Sequence, residues 1–111
     1  MSSSLRIKRV NEIIKKEFGN ILLNELDNLR GSLVTITKVM TSPDLQHAKV
    51  YISVFPEKES KRIHETLNRN IYKFQKILNK RLFMRPVPKI RILEDISGES
   101  FSKISHLLED K

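Results

Sequence analysis

The run AKVYISVF, Ala48 to Phe55, alternates strictly, with Ala48, Val50, Ile52 and Val54 on one face. A period of two is that of a strand with one buried side, so the chain must supply something to cover that side. Residues 32–40, SLVTITKVM, form a second β-branched and near-alternating run. Between them, Thr41-Ser42-Pro43-Asp44-Leu45-Gln46 places turn formers at its front, which predicts an antiparallel hairpin with a longer connection. Pro56 ends the second strand, because it has no N–H to donate to a ladder.

The cover for the sheet comes from both sides of the hairpin. From Leu5 to about Leu26, Ile7, Val10, Ile14, Phe18, Ile21 and Leu22 fall at spacings of three and four, the stripe of a long helix, with Arg9, Glu12 and Lys16 opposite. Ser4 is the expected N-cap, and Asn28 to Gly31 the stop, with Gly31 free to take a positive φ. Gly19 costs such a helix about 1 kcal/mol against Ala, so close packing is expected there. After Pro56, Glu57 to Leu67 reads as helix with Ile63 and Leu67 inward, and Ile71, Phe74, Leu78 and Leu82 continue the stripe in a second segment. Asn68, Arg69 and Asn70 mark a kink between the two, since Asn is a poor helix former that tolerates left-handed angles. Arg85-Pro86-Val87-Pro88 is extended. Lys89 to Leu93 (KIRIL) is a third strand, and Ser97 or a neighbour caps a short terminal helix with Phe101, Ile104 and Leu108 inward. The order is α, β, β, α, α, β, α, an α+β two-layer domain with a three-stranded sheet covered on one face.

Charge is concentrated in one stretch. Of the chain's net +8, Lys58 to Arg91 contributes eleven Lys and Arg against Glu59 and Glu65, a local excess of nine. At about 100° per residue, Arg69, Lys73, Lys76 and Lys80 lie within about 60° of one another opposite the apolar stripe, a ridge about 16 Å long. Arg81, Arg85, Lys89 and Arg91 extend the same sign, and no acid is interleaved among the ridge residues between Arg69 and Lys80. A pI near 9.9 calls for a polyanionic partner, nucleic acid or an anionic membrane surface. Against a membrane role, the first helix carries Glu12, Glu17 and Glu25 and has a sheet to cover.

The 111 residues suit one domain, 1–111, with one core. The absence of cysteine excludes disulfides and thiolate metal sites, and fits a reducing compartment. No stretch approaches the roughly 18 apolar residues of a membrane span, and the N-terminus does not read as a signal peptide, so a cytoplasmic location is expected. His47, His64 and His106 share no metal-ligand spacing. Asp44 and Asp95 have turn and capping roles. No catalytic triad order, glycine-rich phosphate cradle or HExxH helix is present, so neither enzyme chemistry nor a cofactor, metal or small-molecule substrate is expected.

Several short motifs narrow this reading. They are Arg-x-x-Arg-Val at Arg6 to Val10, Val-Thr-Ile-Thr-x-Val at Val34 to Val39, and Ser-x-Asp-Leu-x-x-Ala-x-Val-Tyr-x-Ser at Ser42 to Ser53. Arg-x-x-Pro at Arg85 to Pro88 and Asp-x-Ser at Asp95 to Ser97 complete the set. In this order and at these spacings the chain resembles the bacterial ribosome-binding factor A family over nearly its whole length. The resemblance implies a type II K-homology-like fold without the usual Gly-x-x-Gly loop. In that fold the two central helices meet at a kink, often Ala-x-Gly, where this chain has Asn68-Arg69-Asn70. It departs also at Ile92, where the family tends to carry an aromatic, a change a core absorbs.

The resemblance further implies a non-catalytic factor that binds the 30S ribosomal subunit and its 16S rRNA during maturation; a monomer is expected when free. It turns the basic ridge into a phosphate-binding surface, with Arg69, Lys73, Lys76, Lys80, Arg81, Arg85 and Lys89 as RNA-binding residues and Arg6 and Arg9 beside them. Such contacts position without reading sequence and weaken steeply with salt. For Tyr51, Tyr72 and Phe83 packing is the simpler role, with Phe83 in the core and the tyrosines half-buried; Tyr72, flanking the ridge, is the one to test for base stacking. Two alternatives remain: a free-standing K-homology-type module for single-stranded RNA, which the missing Gly-x-x-Gly disfavours, and a protein adaptor using the sheet or the acidic Glu109 and Asp110.

Overall fold

A computed structural model describes residues 2–25, 29 and 31–96. Helix α1 spans Ser2–Leu23, strands β1 and β2 Leu33–Thr41 and His47–Phe55, and a single 3-10 turn Glu57–Glu59. Helices α2 and α3 follow at Ser60–Arg69 and Ile71–Arg81, and strand β3 at Lys89–Glu94. The expected terminal helix, with its Ser97 cap and Phe101, Ile104 and Leu108, lies outside the described residues, as do His106, Glu109 and Asp110.

The sheet runs β1-β2-β3, with β1 antiparallel and β3 parallel to β2. Val34 and Ile36 of β1 stand opposite Val54 and Ile52. Beyond them Thr37 is an extra residue, a β-bulge, and Val39 and Thr41 then pair with Val50 and Ala48. A one-residue slip flips every later side chain to the other face. Here the bulge converts the imperfect alternation of VTITKVM into a continuous apolar face, placing Val39 inside and Lys38 and Met40 outside. Ala48, Val50, Ile52, Ile90 and Ile92 complete the inner face, all buried. In the hairpin loop, Asp44 accepts hydrogen bonds from the Ser42 hydroxyl (2.6 Å) and the Gln46 N–H (3.1 Å). Those bonds, the hydroxyl first, hold its carboxyl below the usual range.

The helices cover that inner face. Val10, Ile14, Phe18, Ile21 and Leu22 of α1, Ile63 and Leu67 of α2, and Phe74 and Leu78 of α3 are buried, and the Phe18 and Phe74 rings meet at 5.8 Å, tilted by 57°. Asn11 Oδ1 ties α1 to the end of β1, accepting from the Thr41 N–H at 2.9 Å and hydroxyl at 2.6 Å. Gln75 seats β3 under α3: its Oε1 accepts from the Ile90 N–H at 2.8 Å, and its amide donates to the Pro88 carbonyl at 3.1 Å. This arrangement is the expected type II K-homology-like fold.

Local expectations fail at five places. Ser4 lies inside α1 rather than capping it, since three consecutive serines leave the start degenerate. α1 also stops at Leu23, in a turn where the N–H groups of Asn24 and Glu25 bond the carbonyls of Ile21 and Leu22, although Gly31 takes its positive φ of 80°. Gly19 serves no close packing: a Cβ there would meet nothing within 4 Å, because the position points about 130° from the core stripe. Phe83 is fully exposed and Tyr72 is 86% exposed. Leu82 turns extended after α3 (ψ 142°) and fills the core itself, so the alternating backbone sends Phe83 outward.

Candidate nucleic-acid interface

The basic ridge begins at the junction of α2 and α3. Asn70 breaks the helix there at φ −103°, ψ 14°, in the bridge region and not the left-handed one. Its N–H bonds the Leu67 carbonyl at 3.1 Å, its side-chain amide the Thr66 carbonyl at 2.9 Å, and its own carbonyl accepts from Phe74 N–H at 3.1 Å. Asparagine thus closes one helix and opens the next with a backbone that any residue adopts. The break assigns Arg69 to the end of α2, so the single 16 Å ridge divides. Lys73, Lys76 and Lys80 remain together on α3, all exposed, over about 10 Å of helix.

Acids absent from the local sequence reach this face through space. Lys73 Nζ lies 3.2 Å from Glu25 Oε2, and Arg81 Nη1 lies 3.4 Å from Glu17 Oε1. The two pairs run in opposite order along the chain, so α1 lies antiparallel beside α3, with Glu17 on its flank and Glu25 in the turn that follows it. Glu25 is buried, whereas Lys73 keeps 57% of its side chain exposed. Lys76 and Lys80, four residues apart and one turn from each other, have no hydrogen-bond or ion-pair partner among the described residues. Tyr72 stands four residues before Lys76, on a shared helix face, with its ring in solvent.

The remaining candidates do not form one patch with these. Arg85 is exposed but engaged, its Nη1 donating to the carbonyls of Leu82 and Met84, both at 2.7 Å, which closes the end of α3. Arg6 and Arg9, exposed in the first turns of α1, lie beyond the end of α3, since Glu17 already meets Arg81. Lys89 is on the far side of the sheet, because Ile90 and Ile92 face the helices and Lys89 and Arg91 therefore face away. Lys49 of β2 is opposite Arg91 on that same outer face. Lys38 and Lys49 formed no part of the expected set, although the period-two pattern that buries Val50 was itself the signal for Lys49. Lys38 needed the bulge.

A shallow groove between α2 and the end of β3 is lined by Lys61, His64, Glu65, Asn68, Arg69 and Glu94. Its charges are mixed, and it holds a buried His64 Nε2 with no hydrogen-bond partner. Burial pushes the His64 pKa down, partly opposed by the Glu94 carboxylate. Among the described residues no three His, Asp or Glu side chains come together as metal ligands, and no helix is long and apolar enough to cross a membrane.

Comparison with known proteins gives a consistent result. A family model described as ribosome-binding factor A matches residues 6–108. Ribosome-binding factor A of a Synechocystis strain is 34% identical over 113 residues, covering 99% of this chain and 85% of that relative. The crystal structure of ribosome-binding factor A from Thermus thermophilus superposes with a TM-score of 0.65 at 25% identity, over 79% of this chain and 94% of that one. A Thermus thermophilus ribosome-binding factor A model fitted into a cryo-EM map of its complex with the 30S particle gives 0.61 at 25% identity, over 75% and 88%.

Proposed function

The chain belongs to the ribosome-binding factor A family, and on that premise we propose that it is a non-catalytic maturation factor that binds 16S rRNA in the immature 30S particle through the outer face of α3. The observation that carries this reading is the pair Lys76 and Lys80, exposed, on one helix face and without a partner among the described residues. Lysines held by no acid are free to displace counterions from phosphates, the main source of affinity for RNA backbones. Tyr72 beside them offers a ring for an unpaired base. Lys73 and Arg81 contribute second, since each divides its charge between RNA and α1.

The mechanism requires no bond to be made or broken. A protein that binds a precursor conformation of rRNA more tightly than the mature one shifts the population toward the precursor-compatible fold and dissociates once the mature fold prevails. The factor acts as a monomeric, cytoplasmic single domain without cofactor or small-molecule substrate. The related Thermus protein was placed in a 30S complex, which supports the same partner for this chain.

Co-sedimentation with 30S precursor particles tests this. Lys76→Glu with Lys80→Glu, both outside the core and outside ion pairs, should abolish binding with circular dichroism and melting unchanged. A folded double variant that still sediments with the particles at wild-type stoichiometry would refute the role of α3.

A further inference from the structure

Among the described residues, the helices cover only one face of the sheet. The other carries Lys38 and Met40 of β1, His47, Lys49, Tyr51, Ser53 and Phe55 of β2, and Lys89, Arg91 and Leu93 of β3. None of these strand residues is acidic. From this we infer that the open sheet face is a second RNA-binding surface, independent of α3, that takes a single-stranded segment.

Cross-strand register places the cations together. Lys49 stands between Met40 and Arg91, and Tyr51 between Lys38 and Leu93. Neighbouring strands are about 4.8 Å apart, and alternate residues along a strand about 6.7 Å, so Lys38, Lys49 and Arg91 occupy two adjacent rows, with His47 and Lys89 in the next. Lys38 Nζ sits 4.7 Å from the centre of the Tyr51 ring, which holds that ammonium over the middle of the sheet without neutralising it. Lys49, Lys89 and Arg91 meet no carboxylate among the described residues. Like charges gathered on a sheet are unfavourable unless an anion completes them, and the complement of this surface is a polyanion.

The apolar side chains among those cations select the kind of polyanion. Met40, in the row of Lys49 and Arg91, is 52% exposed, while Tyr51 and Leu93 are half-buried in the row of Lys38. Unpaired bases rest on such side chains, whereas a duplex keeps its bases stacked inside and offers phosphates alone. The surface therefore fits single-stranded RNA, with phosphates on Lys38, Lys49 and Arg91 and bases over Met40, Tyr51 and Leu93. It lies across the sheet from Lys76 and Lys80, so the domain has two RNA-facing sides.

Fluorescence anisotropy of the full chain with a labelled 12-nucleotide oligouridylate, over a salt series, separates the two sides. Lys49→Glu with Arg91→Glu should weaken binding at least tenfold and flatten the log-log salt slope by about 1.4, the value for two contacts at about 0.7 each on single strands. The milder Lys49→Gln with Arg91→Gln should flatten it equally with a smaller loss, which keeps the test usable if the reversal unfolds the chain. In the native chain, crosslinks from 4-thiouridine in the oligomer should map to residues 47–55 and 89–94. Wild-type affinity in the folded sheet variants, crosslinks confined to 71–81, or equal affinity for a duplex of the same length would each overturn the inference. So would a dimer that the sheet variants dissociate with RNA affinity intact, which would assign the face to a second copy. Loss of 30S binding in the α3 variant with oligouridylate binding retained leaves the two surfaces separately established.

Discussion

Lys73 stands at the boundary between fold and function, and its replacement distinguishes the two. Its ammonium lies 3.2 Å from a carboxylate oxygen of the buried Glu25, while more than half of the lysine side chain is in water. Exposed pairs contribute about 0–1 kcal/mol, and breaking a buried pair costs about 3–5 kcal/mol. With one partner buried and the other solvated, Lys73→Gln should cost about 1 kcal/mol. Lys73→Glu, which sets a second carboxylate beside Glu25, should cost about 2 kcal/mol. For a chain of this size 1 kcal/mol corresponds to about 4–8 °C in melting temperature. Thermal melts of wild type, Lys73→Gln, Glu25→Gln and the double variant give the coupling directly, and it should be about 1 kcal/mol, smaller in high salt. A coupling below about 0.3 kcal/mol, which is within the usual additivity error, would refute the claim that α1 and α3 are joined by this pair.

Gly19→Ala should stabilise the domain by about 1 kcal/mol, raising the melting temperature, because alanine removes the helix penalty of glycine and its Cβ meets nothing within 4 Å; an unchanged or lower midpoint in denaturant titration would contradict this. His64, whose pKa is lowered from about 6.5 by burial, contributes stability that is fully present above that value. As pH falls below 6.5 the unfolded chain takes up the proton first, so stability drops until the folded-state value is passed. Melts between pH 7.5 and 5 should show that decline in the wild type and a shallower one in His64→Asn, and parallel curves would contradict it.

The elements were legible because each depends on a period. Alternation at Ala48 to Val54 and the three-four spacing of Val10, Ile14 and Phe18 follow from side-chain directions that any strand or helix imposes. The kink at Asn68-Arg69-Asn70 was legible in the same way, as a local weakness between two helical stripes, although Asn70 uses the bridge region and not the left-handed one expected. Phe83 was misread because a single extended residue, Leu82, decides which of two adjacent apolar side chains enters the core. The candidate site was less legible than the fold. Along the chain, Arg69, Lys73, Lys76, Lys80, Arg81, Arg85 and Lys89 read as one continuous charge. In space they divide among the end of α2, one face of α3, a carbonyl-bound loop arginine and the reverse of the sheet.

The amino-acid sequence by itself determined the order of elements, their apolar faces and the surplus of positive charge between Lys58 and Arg91, since these rest on spacing between near neighbours. Only the tertiary structure decided which of those charges are free. Glu17 and Glu25 meet Arg81 and Lys73 across 64 and 48 residues, and a one-residue bulge at Thr37 decides that Lys38 faces the open side of the sheet. Coulomb attraction acts through space, so the partner of a surface lysine is set by whichever helix packs beside it and not by what precedes it in the chain.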